Sequence, residues 1–113
     1  MAGLMRILML NAVTRRERKD ATSFVFDTVN GLGGCIDDVQ MYSNLMNTIR
    51  LTLAAGAYPA FIAALREGGI AVDEPGEELA GANSAVERMA TLQITFIHDE
   101  PDMKRQIPAV PGY

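Results

Sequence analysis

The succession of hydrophobic periods in residues 1–74 is the feature that most restricts the fold of this chain. Apolar residues recur every third or fourth position in some stretches, which predicts helices, and every second position in others, which predicts strands. Glycines follow both helical stretches, where a left-handed residue ends a helix at low cost. The predicted elements are a strand at 6–13, a helix at 20–34, strands at 35–43 and 47–55, a helix at 57–69 and a strand at 70–74.

This order predicts an α+β protein built on a ferredoxin-like β-α-β-β-α-β unit. Right-handed crossovers place both helices on one face of a four-stranded antiparallel sheet, so the unit is a two-layer sandwich with one bare sheet face. A tight turn near Ser43 and Asn44 is expected to join the two middle strands as a hairpin. Asp20 or Thr22 is expected to cap the first helix.

Residues 75–113 are predicted to extend the same domain with a helix and a strand. The helix is expected within residues 73–90, and its apolar stripe consists of Leu79, Ala82, Val86 and Met89. The alternating residues 91–99 indicate a fifth strand, and the proline-containing residues 100–113 are expected to run extended. The fold class is therefore a ferredoxin-like two-layer sandwich with a C-terminal helix-strand extension.

The two strands of the predicted hairpin divide their side chains between two faces. In the first strand, Cys35, Val39 and Met41 share one face, and Asp38, Gln40 and Tyr42 share the other. In the second strand, the inward set is Ile49, Leu51 and Leu53, and the outward set is Thr48, Arg50 and Thr52. Cys35 is the single cysteine of the chain, and we expect it to be a small buried apolar residue.

Charge and hydropathy exclude two classes of partner. The formal net charge of −4 at pH 7 is unfavourable for general nucleic-acid binding, which needs several phosphates neutralised together. No apolar run approaches the roughly 18–20 residues of a membrane span, and the N-terminus lacks the positive start of a signal peptide. We therefore expect a cytoplasmic protein that binds neither nucleic acid nor membrane.

A cluster of cations between the first strand and the first helix is the candidate ligand site. The site consists of Arg15, Arg16, Arg18, Lys19, Thr22 and Ser23. An anion bound there would meet cationic side chains together with the free N–H groups of a helix N-terminus. Two alternatives are a solvated turn, balanced by Glu17 and Asp20, and a protein contact.

Two glycine-containing stretches resemble those of ACT-type domains, the small regulatory modules of amino-acid metabolic enzymes. The stretch LGGCI (32–36) is similar to the family's Gly-x-Asn-Ile, with Gly33 and Ile36 matching, and FIAALREGGIAV (61–72) resembles its helix-Gly-strand ending. The resemblance covers residues 5–74 and implies a dimeric regulatory module that binds an amino-acid-like or small anionic effector. The family's usual aspartate and glycine after the first strand are replaced by TRRERKDATS (14–23), which has no glycine.

Catalytic groups are scarce in the sequence. The one histidine, His98, lies beside Asp99, Glu100 and Asp102 and is a candidate for metal or acid-base chemistry, although a contiguous acidic strand end is the plainer interpretation. No cofactor is predicted. A small dimeric ferredoxin-like enzyme and a structural or assembly subunit remain alternatives to the regulatory module.

A homodimer is predicted from the bare sheet face. Met9 and Met41 occupy strand positions that one helical layer does not fully cover. Soluble monomers rarely leave an apolar face of several hundred Å² open, so a second copy of the chain is the expected partner.

Overall fold

The computed structural model describes residues 7–43, 45–81 and 83–97. Its elements are β1 (Leu8–Thr14), α1 (Arg18–Gly31), β2 (Cys35–Ser43), β3 (Met46–Ala54), α2 (Tyr58–Glu67), β4 (Ile70–Val72) and β5 (Glu87–Phe96), with a 3-10 turn at Ala55–Ala57 before α2. The protein is thus α+β, with a five-stranded mixed sheet and two helices, as the coarser part of the prediction states.

The strand order is β2-β3-β5-β1-β4, and the ferredoxin-like order is not confirmed. β5 lies between β3 and β1, strands that are direct neighbours in a split βαβ sheet. It pairs antiparallel with β3 and parallel with β1, with Leu92 opposite Ile49 on one side and Leu10 on the other. The C-terminal strand therefore forms the centre of the sheet and widens it to five strands.

One face of the sheet packs against both helices. The inward side chains of β1, β3 and β5 alternate with outward ones, and the inward set is almost completely buried. Val25 and Val29 of α1, together with Phe61 and Leu65 of α2, cover this face and complete one hydrophobic core. Apolar burial of this kind is the main favourable contribution to folding.

The prediction that Asp20 or Thr22 caps α1 is wrong. The helix begins earlier, at Arg18, and Glu17 is the capping residue. The Glu17 carboxylate accepts a hydrogen bond from the backbone N–H of Asp20 at 3.0 Å. Hydrogen bonds from the N–H groups of Lys19 and Asp20 lower the pKa of Glu17 below its ordinary value.

The predicted helix within residues 73–90 is also wrong. The described residues between β4 and β5 contain no helix, and β5 already begins at Glu87. Pro75, Gly76 and Gly81 are poor residues for a helix interior. Instead, Glu87 pairs with Ala54 of β3, and the Val86 carbonyl accepts a hydrogen bond from the backbone N–H of Ala55. The end of the segment is therefore extended and hydrogen-bonded to β3.

The predicted β2–β3 hairpin is confirmed, but one assignment of faces is wrong. The register shifts between Ile36 and Asp38, so Cys35 lies opposite Thr52 rather than on the face of Val39. Such an irregularity inserts one extra residue and changes the face of those before it. Cys35 is consequently exposed, not buried as expected.

Candidate functional site: the open face of the sheet

Arg16, a member of the predicted anion site, is held by contacts within the protein. Its Nε donates to Asp20 Oδ2 at 2.8 Å, and its Nη1 donates to the Gly68 carbonyl at 2.7 Å. The guanidinium carbon also lies 4.6 Å from the centroid of the Phe24 ring. The hydrogen bond from Arg16 lowers the pKa of Asp20. Arg16 therefore joins the start of α1 to the turn after α2.

Thr22 belongs to the core side of α1. Its hydroxyl donates to the Arg18 carbonyl at 2.8 Å and accepts a hydrogen bond from Asn47 Nδ2 at 3.0 Å. Ser23 and Lys19 are exposed. Because the Glu17 carboxylate already engages the first amides of the helix, an anion would have to replace this carboxylate to bind there.

Arg15 and Arg16 nevertheless line a shallow depression of about 500 Å³ at the end of β1. Its other lining residues are Val13, Thr14, Gly69, Ala71 and Ile97. Arg18, Lys19, Thr22 and Ser23 are not among the residues that line it. The structure thus brings together two of the six predicted residues at this depression.

A larger depression, of about 660 Å³, lies on the sheet face opposite the helices, which we call the open face. It is lined by Ile7, Met9, Asp38, Gln40, Tyr42, Met46, Thr48, Arg50, Thr91 and Gln93. Cross-strand pairing sets these side chains in rows, because residues directly opposite on neighbouring strands point to the same face. One row runs through Asp38, Arg50, Thr91 and Met9, and the next through Gln40, Thr48 and Gln93.

Asp38 and Arg50 are the charged residues of this depression. They are direct cross-strand partners, but no ion pair or hydrogen bond joins them in the described part of the chain. Asp38 Oδ2 instead accepts a long hydrogen bond, 3.5 Å, from Gln40 Nε2, and Tyr42 donates its hydroxyl to Gln40 Oε1 at 2.8 Å. A cation and a carboxylate thus stand side by side, both accessible from outside.

Apolar side chains form the two ends of the same depression. Met9 of β1 and Ile7, just before β1, lie at one end. Met46 and Tyr42 of the β2–β3 hairpin lie at the other. The exposed fractions of Ile7, Met9 and Tyr42 are 46%, 58% and 64%. Large apolar side chains this exposed are suited to contact with a ligand or a partner.

Sequence reasoning found parts of this site without joining them. The alternation placed Asp38, Gln40 and Tyr42 on one face and Thr48 and Arg50 outward on the next strand. Hairpin pairing was the signal that these two sets share a face. The positions of Thr91 and Gln93 beside them depend on where β5 inserts, for which the local pattern holds no signal.

Metal chemistry has no candidate in the part of the chain that the structure describes, where no three His, Cys, Asp or Glu residues come close enough to hold an ion. The candidate cluster of His98, Asp99, Glu100 and Asp102 lies outside the described residues. Neither described helix has the length and hydrophobicity needed to cross a membrane.

Comparison of the chain with known proteins finds no matching family model, no matching curated protein and no matching solved structure.

Proposed function

We propose that this protein is a small regulatory module that binds an amino-acid-like zwitterion on the open face of its sheet. The observation that carries the proposal is the adjacent, mutually unpaired charges of Arg50 and Asp38 within a depression that has apolar ends. A zwitterion of this kind carries its own anion and cation a few ångströms apart. Its two charges match those of Arg50 and Asp38, so each charge of the site has an opposite charge beside it.

Arg50 would hold the carboxylate of the ligand. Its side chain is exposed on the open face and makes no described contact with an acidic residue. The planar guanidinium offers parallel N–H donors that match both oxygens of a carboxylate. Thr48 and Thr91 flank Arg50 in the depression and add hydroxyl groups to the same surface.

Asp38 would hold the ammonium group. Its carboxylate is oriented by Gln40, which is itself held by the Tyr42 hydroxyl. Contacts of this kind restrict the side chain of a binding residue before the ligand arrives. The ligand side chain would then lie against Met9 or Met46, so an apolar amino acid suits the site better than a charged one.

The resemblance to ACT-type domains supports the class of ligand but implies a different location, at the loop after the first strand. The depression lined by Arg15 and Arg16 is therefore the second candidate, for a small anion. Arg16 is already engaged by Asp20 and by the Gly68 carbonyl, which makes this the weaker site.

Titration calorimetry at low salt tests the proposal. The ligands are a panel of apolar L-amino acids, with the matching amines and the matching carboxylic acids as probes that lack one charge. The intact amino acid should bind best, because each truncated probe leaves one protein charge unmatched. Saturable binding of none of these compounds would overturn the proposal.

Two variants locate the site. Arg50→Gln should weaken binding by about 1.5–3 kcal/mol, the scale of charge-assisted hydrogen bonds. Arg18→Gln makes the same change of charge on α1, away from the open face, and should leave the affinity unchanged. Weakening by Arg15→Gln with no effect of Arg50→Gln would move the site to the depression beside the loop.

A further inference from the structure

We infer that a second copy of this chain packs against the open face and closes the ligand site between two sheets. The inference builds on the proposed function, because it names the partner that completes the same site. It rests on the composition and the area of the open face, and the expected dimer can be tested without a ligand.

Several large apolar side chains are exposed on the open face. Ile7, Met9 and Met89 stand near one end of β1 and β5, each between 46% and 58% exposed, and Tyr42 stands at the opposite corner with 64%. The helices cover only the other face of the sheet. Clustered apolar side chains of this kind mark interaction surfaces.

Where the strands β1 and β5 pair with each other, they present no charged side chain on the open face. On β1 the outward residues are Met9, Asn11 and Val13, and on β5 they are Met89, Thr91, Gln93 and Thr95. Depletion of charged residues at the centre, with apolar and polar uncharged side chains in their place, is the composition of a protein interface. This composition favours a protein partner over a polyanion.

The charges at the side of this centre favour an identical partner. Arg50 and Asp38 have opposite signs and lie on neighbouring strands, so the depression is neutral although the whole chain carries −4. Two copies related by a two-fold axis present the same patch to each other. Because each patch is neutral, the two copies meet without net repulsion, and Arg50 and Asp38 remain available to a ligand between them.

The area of the face is of the right order for a stable dimer. Five strands spaced about 4.8 Å apart, with seven residues in β1 at about 3.3 Å each, give roughly 500 Å² in projection. Side-chain relief makes the accessible area larger, and a standard interface buries about 800 Å² on each partner. The face of one sheet can therefore supply one side of an interface.

A second copy would also complete the ligand site. The depression of about 660 Å³ is open to solvent on one side, whereas binding sites commonly enclose most of a small ligand. A second sheet packed at about 10 Å would cover the open side with apolar residues such as Met9. A ligand held by Arg50 and Asp38 would then lie inside the dimer.

Light scattering after size exclusion, at about 50 μM protein without ligand, measures the assembly. The expected mass is twice the 12.2 kDa of one chain. Met9→Lys combined with Thr91→Lys places like charges at the centre of the open face and should give monomers. The matched control, Ala60→Lys with Ala63→Lys, adds the same charges on the exposed side of α2 and should remain dimeric. A monomeric wild type, or a dimer lost only in the α2 control, would overturn the inference.

A charge exchange keeps the test decisive if the lysine pair fails to fold. Arg50→Glu makes both charges of the depression acidic and should weaken self-association at least tenfold by analytical ultracentrifugation. Adding Asp38→Arg restores one charge of each sign and should restore the dimer. If Arg50→Glu leaves self-association unchanged, the open face is not the interface.

The two proposals fail separately. A dimer that depends on the open face but binds no amino acid retains this inference and removes the proposed function. A monomer that binds an amino acid through Arg50 retains the function and removes the inference.

Discussion

Asp38 and Arg50 lie directly opposite each other on β2 and β3, and their side chains form no ion pair in the described part of the chain. Opposite charges at such positions are close enough to interact, with Cβ atoms about 5 Å apart. Among the described residues, Asp38 accepts only a long hydrogen bond, 3.5 Å, from the neutral amide of Gln40, which leaves its charge uncompensated. Both charges are therefore available for an outside group, which distinguishes them from Arg16, whose guanidinium is already bound within the protein.

Arg50→Gln should leave the free energy of unfolding within about 0.5 kcal/mol of wild type. The Arg50 side chain is exposed and has no described partner to lose, and such surface changes have small effects. Urea denaturation without ligand measures this. A loss above about 1 kcal/mol would show that Arg50 has a structural role, and the ligand experiments with this variant would need reinterpretation.

Arg16→Gln should lower the free energy of unfolding by about 2 kcal/mol. The change removes a charged hydrogen bond to the Gly68 carbonyl, the pair with Asp20 and the stacking on Phe24. Arg18→Gln, two residues further along the chain at the start of α1, serves as the control and should change stability by less than about 0.5 kcal/mol. Equal effects of the two substitutions in urea denaturation would contradict a structural role specific to Arg16.

A buried polar pair between α1 and β3 gives a third prediction. Asn47 is fully buried, its Nδ2 donates to Thr22 Oγ1, and its Oδ1 has no partner among the described residues. Thr22→Val leaves the whole Asn47 amide unpaired and should cost about 1–3 kcal/mol. Asn47→Val added to Thr22→Val should recover part of that loss, since the unpaired amide is then gone.

The measurement for this pair is a double-mutant cycle by urea denaturation. A coupling of about 1 kcal/mol or more is expected between positions 22 and 47. Additive effects of the two substitutions would show that the hydrogen bond contributes nothing measurable.

The elements that the sequence predicted are those that local patterns encode. Alternation and helical spacing predicted β1, α1, β2, β3, α2, β4 and the larger part of β5. The position of β5 depends on pairing with β1 across about eighty residues, from Leu8 to Ala90, and no local pattern specifies which strand it joins. The sequence predicts the bare sheet face but not the depression on it, because β5 supplies Thr91 and Gln93 to its lining.

The wrong prediction of a helix within residues 73–90 has a different cause. Leu79, Val86 and Met89 have helical spacing, but spacing is a weak indication where proline and glycine interrupt the segment. In the structure Met89 is an exposed strand residue opposite Thr52, and Leu79 packs against the core from a non-helical segment. Strand pairing with β3 outweighs the helical tendency of a short segment.

Gly34→Ala should be strongly destabilising, by roughly 2 kcal/mol or more. A Cβ at position 34 would meet the backbone carbonyl of Thr52 at 2.5 Å and would also collide with the Leu53 side chain. Because β3 holds that carbonyl in the sheet, the backbone must shift to make room. Gly31→Ala is the matched control, since nothing lies within 4 Å of its added methyl group, and it should be neutral or slightly stabilising. Thermal unfolding of the two variants checks the prediction, and similar melting temperatures would contradict it.

Ionisation of Tyr58 should make the protein less stable at alkaline pH. Burial raises its pKa from 10.0 to about 12, and its hydroxyl donates to the Arg88 carbonyl at 2.6 Å. Between these pH values the unfolded chain loses the phenolic proton while the folded protein keeps it, so the unfolded state binds fewer protons and stability falls as pH rises. This contribution is complete below pH 10 and is lost as the pH approaches about 12.

Tyr58→Phe isolates this effect, because phenylalanine has no proton to lose. At pH 8 the variant should be less stable than wild type by about 1 kcal/mol, the contribution of the lost hydrogen bond. At pH 11 the wild type should have lost about 1.4 kcal/mol that the variant does not lose, since one pH unit corresponds to that free energy. Denaturation curves of both proteins from pH 8 to 11 should therefore converge and then cross. A constant difference between them over this range would show that the Tyr58 hydroxyl ionises at its ordinary pH in the folded protein.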